Sequence, residues 1–258
     1  MRLNYVEHGQ GTPVVLLHGM FGSLTNLGGL ARALSDTYRV ICCDLRNQGD
    51  SFHSDVMDLQ SMSEDLVTLL DYLDIEATSV VGHSLGGKVG MQFALNYSDR
   101  CSNLVVADIS PVAYAPKHDL ILEALVDLSK YIIYDRTMAD KLLAKHIHDR
   151  DMRSFLLKNI SKSNNGTYQI KINLKVIEKN YYTNLVAAPK GDPFESSTLF
   201  LKGEKSAYIQ EKHKSQIGSL FPNYKLKILD ECGHWLHVQK PQLFNTLIEQ
   251  FLDGADLN

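Results

Sequence analysis

The sequence predicts an α/β protein with a mostly parallel central sheet and helices on both faces. Six short apolar runs of strand length alternate with amphipathic segments, at residues 13–19, 38–45, 78–84, 102–110, 197–203 and 224–230. Continuous apolar runs are typical of parallel strands that are buried on both faces by crossover helices. The chain has 258 residues, which is long enough for one large domain that carries an insertion.

The segments between these runs have the periodicity of helices. In residues 59–74, five apolar positions share one helical face: Met62, Leu66, Leu69, Leu70 and Leu73. Further helices are predicted at 26–34, at 85–97, near 208–220 and near 241–252. Strand and helix therefore alternate through the first hundred residues and again at the C-terminal end.

The alternation stops between residues 112 and 190. This stretch lacks a good buried strand, and helices are predicted at 119–132, 137–147 and 152–160, followed by a turn and an alternating segment at 164–177. We therefore predict a helical cap of residues 112–190, inserted after the strand that ends near Asp108. Residues 1–111 and 191–258 are predicted to form the core domain.

Composition excludes several classes of protein. The net charge is −4 and no long basic run occurs, which disfavours a nucleic-acid partner. No stretch approaches the ~18 apolar residues of a membrane span, and the N-terminus lacks the pattern of a secretory signal. The four cysteines form no C-x-x-C pair, and we predict neither a metal nor a cofactor. A cytoplasmic protein with buried free thiols is expected, as a monomer or homodimer.

One short motif predicts a nucleophile. The stretch Gly82-His83-Ser84-Leu85-Gly86 fits G-x-S-x-G and lies between a predicted strand and a predicted helix. A serine on such a tight turn projects its hydroxyl from the sheet edge, and small flanking residues are needed to close the turn. The alternative is an ordinary glycine-rich turn, but the strand-turn-helix context favours a nucleophilic Ser84.

A nucleophilic serine needs a base and an acid that orients the base. His234 follows the last predicted strand and is the candidate base, ahead of His237. Asp108, at the end of the strand after the one that carries Ser84, is the favoured acid because adjacent parallel strands are only ~4.8 Å apart. Glu204, after the next-to-last strand, is the alternative acid.

Backbone N–H groups are predicted to stabilise the oxyanion. Leu85 directly follows the serine, and the loop after the first long strand offers the N–H of Met20, ahead of that of Phe21. Phe21 is also a candidate substrate-binding residue. His18 is expected to orient this loop, while His8, His53 and His213 are expected to lie at the surface.

These motifs together resemble a known family. HGMFGS, DLRNQGDS, GHSLGGK and CGHW occur in the order and spacing of the α/β-hydrolase superfamily, and MSEDL, DISPVAY and GHWLH are similar to the small bacterial esterases of the YbfF type. The similarity spans nearly the whole chain and is weakest at 130–190. Two departures are Gln48, where relatives often have histidine, and residues 168–172, where a cap tryptophan is replaced.

The resemblance implies the α/β-hydrolase fold, with Ser84 as nucleophile, His234 as base and Asp108 as acid. It also implies esterase activity, with acyl-CoA thioesterase activity or acyl-CoA binding. We therefore predict a serine hydrolase that acts on a small-molecule ester or thioester, with acyl-CoA among the candidate substrates. Two rival functions are a cofactor-free C–C bond hydrolase or lyase, and a non-catalytic binding or scaffold protein on the same fold.

Overall fold

The computed structural model describes residues 1–255, in which nine strands and ten α-helices occur. The strands are β1 (Tyr5–His8), β2 (Thr12–Leu17), β3 (Tyr38–Cys43), β4 (Thr78–His83), β5 (Cys101–Ala107), β6 (Ile160–Lys162), β7 (Tyr168–Ile170), β8 (Thr198–Gly203) and β9 (Tyr224–Leu229). The helices are α1 (Gly28–Leu34), α2 (Leu59–Tyr72), α3 (Leu85–Asn96), α4 (Asp119–Ser129), α5 (Arg136–Leu143), α6 (Arg150–Leu156), α7 (Leu174–Asn180), α8 (Lys214–Leu220), α9 (Leu236–Gln239) and α10 (Pro241–Leu252).

Seven of the strands form one sheet in the order β1-β3-β2-β4-β5-β8-β9. Only β1 is antiparallel to its neighbour, and the other five pairs are parallel. The predicted mostly parallel sheet is therefore confirmed. The sequence did not predict β1, because it has only four residues and three of them are exposed.

Helices cover both faces of this sheet. Along β2, Val15 and Leu17 pack on the side of α2 and α3, whereas Val14 and Leu16 pack on the side of α1 and α10. All four side chains are almost fully buried. The continuous apolar sequence of the strand thus results from burial on two faces, as predicted from the apolar runs.

Helices α4 to α7 lie between β5 and β8, where the helical insertion was predicted. The segment also contains an antiparallel hairpin of β6 and β7. Its turn and β7 lie within the turn and alternating segment predicted at 164–177, whereas β6 was not predicted. The hairpin turn includes Gly166 at a φ of +87°, and Ser163 donates its N–H to the carbonyl of Thr167. The division into core and cap stays a prediction, and the last three residues of the predicted core lie outside the described residues.

Candidate active site

The serine motif forms a sharp turn between β4 and α3. Ser84 has a φ of +53°, which is strained for a residue with a side chain, and its N–H donates to the Ala107 carbonyl at 3.0 Å. A Cβ on Gly82 would lie 2.2 Å from the carbonyl oxygen of Gly86, and one on Gly86 would lie 2.3 Å from that of Leu17. The glycines are therefore required by backbone contacts around the serine.

Three predicted side chains meet at the carboxyl edge of the sheet. Ser84 Oγ lies 2.9 Å from His234 Nε2, and His234 Nδ1 lies 2.7 Å from Asp108 Oδ2. A carboxylate only accepts hydrogen bonds, so Nδ1 carries the ring proton and Nε2 accepts from the Ser84 hydroxyl. The arrangement leaves the base nitrogen facing the serine.

Asp108 follows β5 and is fully buried. Its Oδ1 accepts the N–H of Gly203 at 3.0 Å, and its Oδ2 also accepts the hydroxyl of Ser206. The alternative acid, Glu204, is exposed and accepts the N–H of Glu231 at 2.7 Å. Asp108 is thus the predicted acid that contacts the imidazole.

The two predicted oxyanion donors lie beside the serine. Leu85 is the first residue of α3, and within residues 1–255 neither its N–H nor that of Met20 makes a hydrogen bond. The N–H of Phe21 instead donates to Gln48 Oε1 at 2.6 Å. The Phe21 N–H is therefore occupied, and Met20 and Leu85 are the pair available to an oxyanion.

The loop that holds Met20 is fixed by His18. Its Nε2 accepts the N–H of Leu45 at 3.0 Å and its Nδ1 donates to the Gly19 carbonyl at 2.7 Å. Burial lowers the pKa of His18 below its ordinary value, which favours the neutral ring that this pattern requires. These contacts agree with the predicted structural role of His18.

Two further histidines lie next to the base. His83 donates from Nε2 to the carbonyl of His234 at 2.8 Å, and its ring centroid lies 4.7 Å from that of His237. Burial holds the pKa of His83 well below its ordinary value and lowers that of His237 to about 4. Both rings are therefore neutral near pH 7. His237 was considered only as a rival base, and the place of His83 in the serine motif was a signal that the sequence interpretation did not use.

Other residues of the site gave little signal in the sequence. Tyr208 packs on the base, with its ring centroid 4.3 Å from that of His234. His118 Nδ1 lies 2.9 Å from the hydroxyl oxygen of Tyr181.

The prediction that His213 lies at the surface was wrong. It is buried and its Nδ1 lies 3.0 Å from Ser110 Oγ, because the segment after β8 folds back under Ser110.

Two cavities adjoin Ser84. The larger, of about 290 Å³, is lined by His234, Phe21 and Trp235 among others, so the predicted substrate-binding residue Phe21 does face a cavity. The smaller, of about 40 Å³, lies next to Leu85 and Lys88. Met20 lines both.

Lys88 is a buried amine in the wall of the smaller cavity. Its Nζ donates to the carbonyls of Val186, at 2.8 Å, and Ala187. Burial lowers the pKa of Lys88 to about 7. The side chain thereby connects α3 to the segment that leads back from the insertion to β8.

The described residues 1–255 contain no cluster of three or more histidine, cysteine or acidic side chains able to hold a metal ion. All four cysteines are free and buried, as expected from the sequence. In the same residues, no helix has the length and apolar character needed to cross a membrane.

Comparison with known proteins identifies the family. A family model described as the alpha/beta hydrolase fold matches residues 12–241. The chain belongs to the α/β-hydrolase family. This confirms the family resemblance and the fold predicted from the motifs.

The alignments with individual relatives cover nearly the whole length of this α/β hydrolase. It is 36% identical to the sn-1-specific diacylglycerol lipase ABHD11 of Mus musculus over 93% of this chain and 80% of that protein. It is 33% identical to the esterase YbfF of Escherichia coli K12 over 94% and 93%, respectively. A solved structure of a marine microorganism esterase is 37% identical, with a TM-score of 0.93 over 97% of this chain and 99% of that one. This α/β hydrolase is therefore an enzyme of the esterase and lipase type.

Proposed function

We propose that this α/β hydrolase cleaves carboxylic esters or thioesters through an acyl-enzyme formed on Ser84. The observation that carries the proposal is the continuous path of contacts from Ser84 Oγ through His234 to the buried Asp108. Serine, imidazole and carboxylate in this order can activate a hydroxyl at neutral pH.

In the acylation step, Ser84 Oγ attacks the carbonyl carbon of the substrate while its proton passes to His234 Nε2. Asp108 stabilises the imidazolium through the Nδ1 hydrogen bond. The negative oxygen of the tetrahedral intermediate accepts the N–H groups of Met20 and Leu85. The bond to the alcohol or thiol then breaks, and His234 returns the proton to the departing atom.

In the deacylation step, His234 takes a proton from a water molecule, whose oxygen attacks the acyl carbon. The second tetrahedral intermediate uses the same two N–H groups. It collapses when the proton returns to Ser84 Oγ, which releases the carboxylic acid and restores the enzyme.

The named relatives support esters as the substrate class, since one is a lipase and two are esterases. A thioester, such as an acyl-CoA, is the alternative within the same mechanism. We further propose that residues 112–190 act as a cap on the core formed by residues 1–111 and 191–258. Side chains from this segment, among them Ile121 and Phe155, line the larger cavity.

Labelling with a small ethoxy fluorophosphonate tests the nucleophile. The native enzyme should be labelled at one serine, and Ser84→Ala should lose both the label and ester turnover. Ser219→Ala, at an exposed serine in α8, is the matched control and should behave like the native enzyme. Retention of the label by Ser84→Ala would refute the assignment. Rapid turnover of p-nitrophenyl acetate also separates an esterase from a C–C bond hydrolase or a binding protein.

A further inference from the structure

We infer that the smaller cavity is the acyl pocket, so the enzyme prefers esters of short acids with large apolar alcohols. This inference rests on the proposed function and adds the substrate class. It uses the sizes of the two cavities and their positions relative to the three groups that bind the reacting carbon.

The tetrahedral intermediate has four substituents on one carbon, and the structure assigns a direction to three of them. One is Ser84 Oγ, and a second is the oxyanion, directed at the N–H groups of Met20 and Leu85. The third is the leaving group, which must lie beside His234 Nε2 to receive its proton. The acyl chain occupies the direction that remains.

Only the larger cavity is lined by His234, so it lies on the side of the leaving group. The smaller cavity is lined by Ser84, Leu85 and Met20 but not by His234. It therefore lies on the side of Ser84 away from the leaving group, and it continues past the oxyanion donors to Leu185 and Tyr181, so we assign it to the acyl chain. Its volume is about 40 Å³, against about 290 Å³ for the larger cavity, so of the two it has room only for the shorter group.

The walls of the smaller cavity are fixed in place. Tyr181 accepts the N–H groups of Lys117 and His118 at its hydroxyl, at 2.6 and 3.0 Å. Leu185 is almost fully buried, and the carbonyls that follow it are held by Lys88 Nζ. A longer chain would have to displace groups that are hydrogen-bonded to other elements.

The larger cavity suits a bulky apolar alcohol. Phe155 and Trp235 meet edge to face, with ring centroids 4.6 Å apart, and Met152 and Ile121 lie in the same wall. Aromatic and thioether surfaces of this kind bind flat apolar groups. We therefore expect an aryl or arylmethyl group to gain binding energy there.

A series of benzyl esters tests the acyl pocket. The kcat/KM should be highest from acetate to butyrate and should fall at least about ten-fold at hexanoate, since one misfitting methylene costs 10-fold or more. A constant or rising kcat/KM up to octanoate would overturn the inference. A medium-chain optimum would do the same.

Two cavity-enlarging substitutions provide a matched test. Leu185→Ala should raise the hexanoate-to-butyrate ratio of kcat/KM about ten-fold. Ile121→Ala, in the other cavity, should leave this ratio unchanged while altering the preference between alcohols. The concentration of active sites is counted by fluorophosphonate titration, so that loss of folded protein does not enter the ratio. An equal effect of both variants on acyl preference would contradict the assignment.

The leaving-group side is tested by comparing benzyl butyrate with methyl butyrate, whose alcohols have similar acidity. The benzyl ester should react with a kcat/KM at least ten-fold higher, and equal values would overturn this part. A native enzyme that takes neither the label nor any ester would instead refute the proposed function. An enzyme that is labelled but prefers long acyl chains would refute only this inference.

Discussion

Asp108 follows β5 and contacts the imidazole of His234 directly, at 2.7 Å. Replacement by asparagine keeps the shape but presents either an amide N–H or a weaker acceptor to Nδ1, which favours the wrong tautomer. For Asp108→Asn we expect a loss of roughly 10⁴-fold in kcat at neutral pH. Steady-state kinetics with p-nitrophenyl acetate would measure it.

Glu204 is the matched control for this substitution. Its carboxylate accepts a backbone N–H of the next loop and does not reach the base. Glu204→Gln should keep kcat within about two-fold of the native value, since the lost contact is on the surface. Activity that survives in Asp108→Asn but disappears in Glu204→Gln would transfer the acid role to Glu204.

The residues that sequence reasoning found are those inside motifs. Ser84, Asp108 and His234 each lie at or shortly after the carboxyl end of a predicted strand, so parallel topology brings them to one edge. Tyr208 and Gln48 were missed because their roles depend on contacts with distant segments: one packs on the base, the other holds the N–H of Phe21. Short-range patterns in the sequence do not predict contacts of this kind.

At the scale of elements, the tight approach of α3 to β2 depends on Gly86. A methyl group on Gly86 would lie 2.3 Å from the carbonyl oxygen of Leu17, which is a backbone atom and cannot rotate away as a side chain could. Gly86→Ala should therefore lower the free energy of unfolding by at least about 2 kcal/mol, as overpacking does, and reduce esterase activity. Urea unfolding would measure the change.

Gly29→Ala in α1 is the matched control. Among the described residues nothing lies within 4 Å of the added methyl group. Alanine in a helix is favoured over glycine by about 0.5–1 kcal/mol, so this variant should be equal to or more stable than the native enzyme. Equal effects of the two substitutions would show that space around Gly86 is not the cause.

Long periodic elements were predicted well and short ones were not. Helix α2 and the buried strands have apolar patterns of sufficient length to distinguish the two periods. By contrast, β6 and β7 have three residues each. The alternating segment at 164–177 included β7, but β6 is too short to show a period of its own. Residue 160, the first of β6, was included in the helix predicted at 152–160, whereas the observed helix α6 ends at Leu156.

At the scale of the whole molecule, partly buried neutral histidines make stability depend on pH. Burial lowers the pKa of both His118 and His237 to about 4, with His234 adding to the effect. Above pH 6.5 these histidines are neutral in both the folded and the unfolded chain, so they do not lower the free energy of unfolding. Between pH 6.5 and about 4 the unfolded chain binds the proton first, and the free energy of unfolding therefore falls. The loss is up to about 3 kcal/mol for each residue.

Substitution isolates this contribution from that of other groups. Between pH 7.5 and 4.5, His237→Asn should lose about 2 kcal/mol less of its free energy of unfolding than the native enzyme. His8→Asn, at an exposed position on β1, should lose as much as the native enzyme. Parallel pH profiles for all three proteins would contradict the expectation.

The end of β8 and the loop after it donate two hydrogen bonds to Asp108, from the N–H of Gly203 and the hydroxyl of Ser206, and do not supply the acid themselves. The ends of β5 and β8 therefore hold one imidazole together, since the first supplies the carboxylate and the second supplies the two donors that fix it. A substitution in the loop after β8 would thus act on the base without touching it.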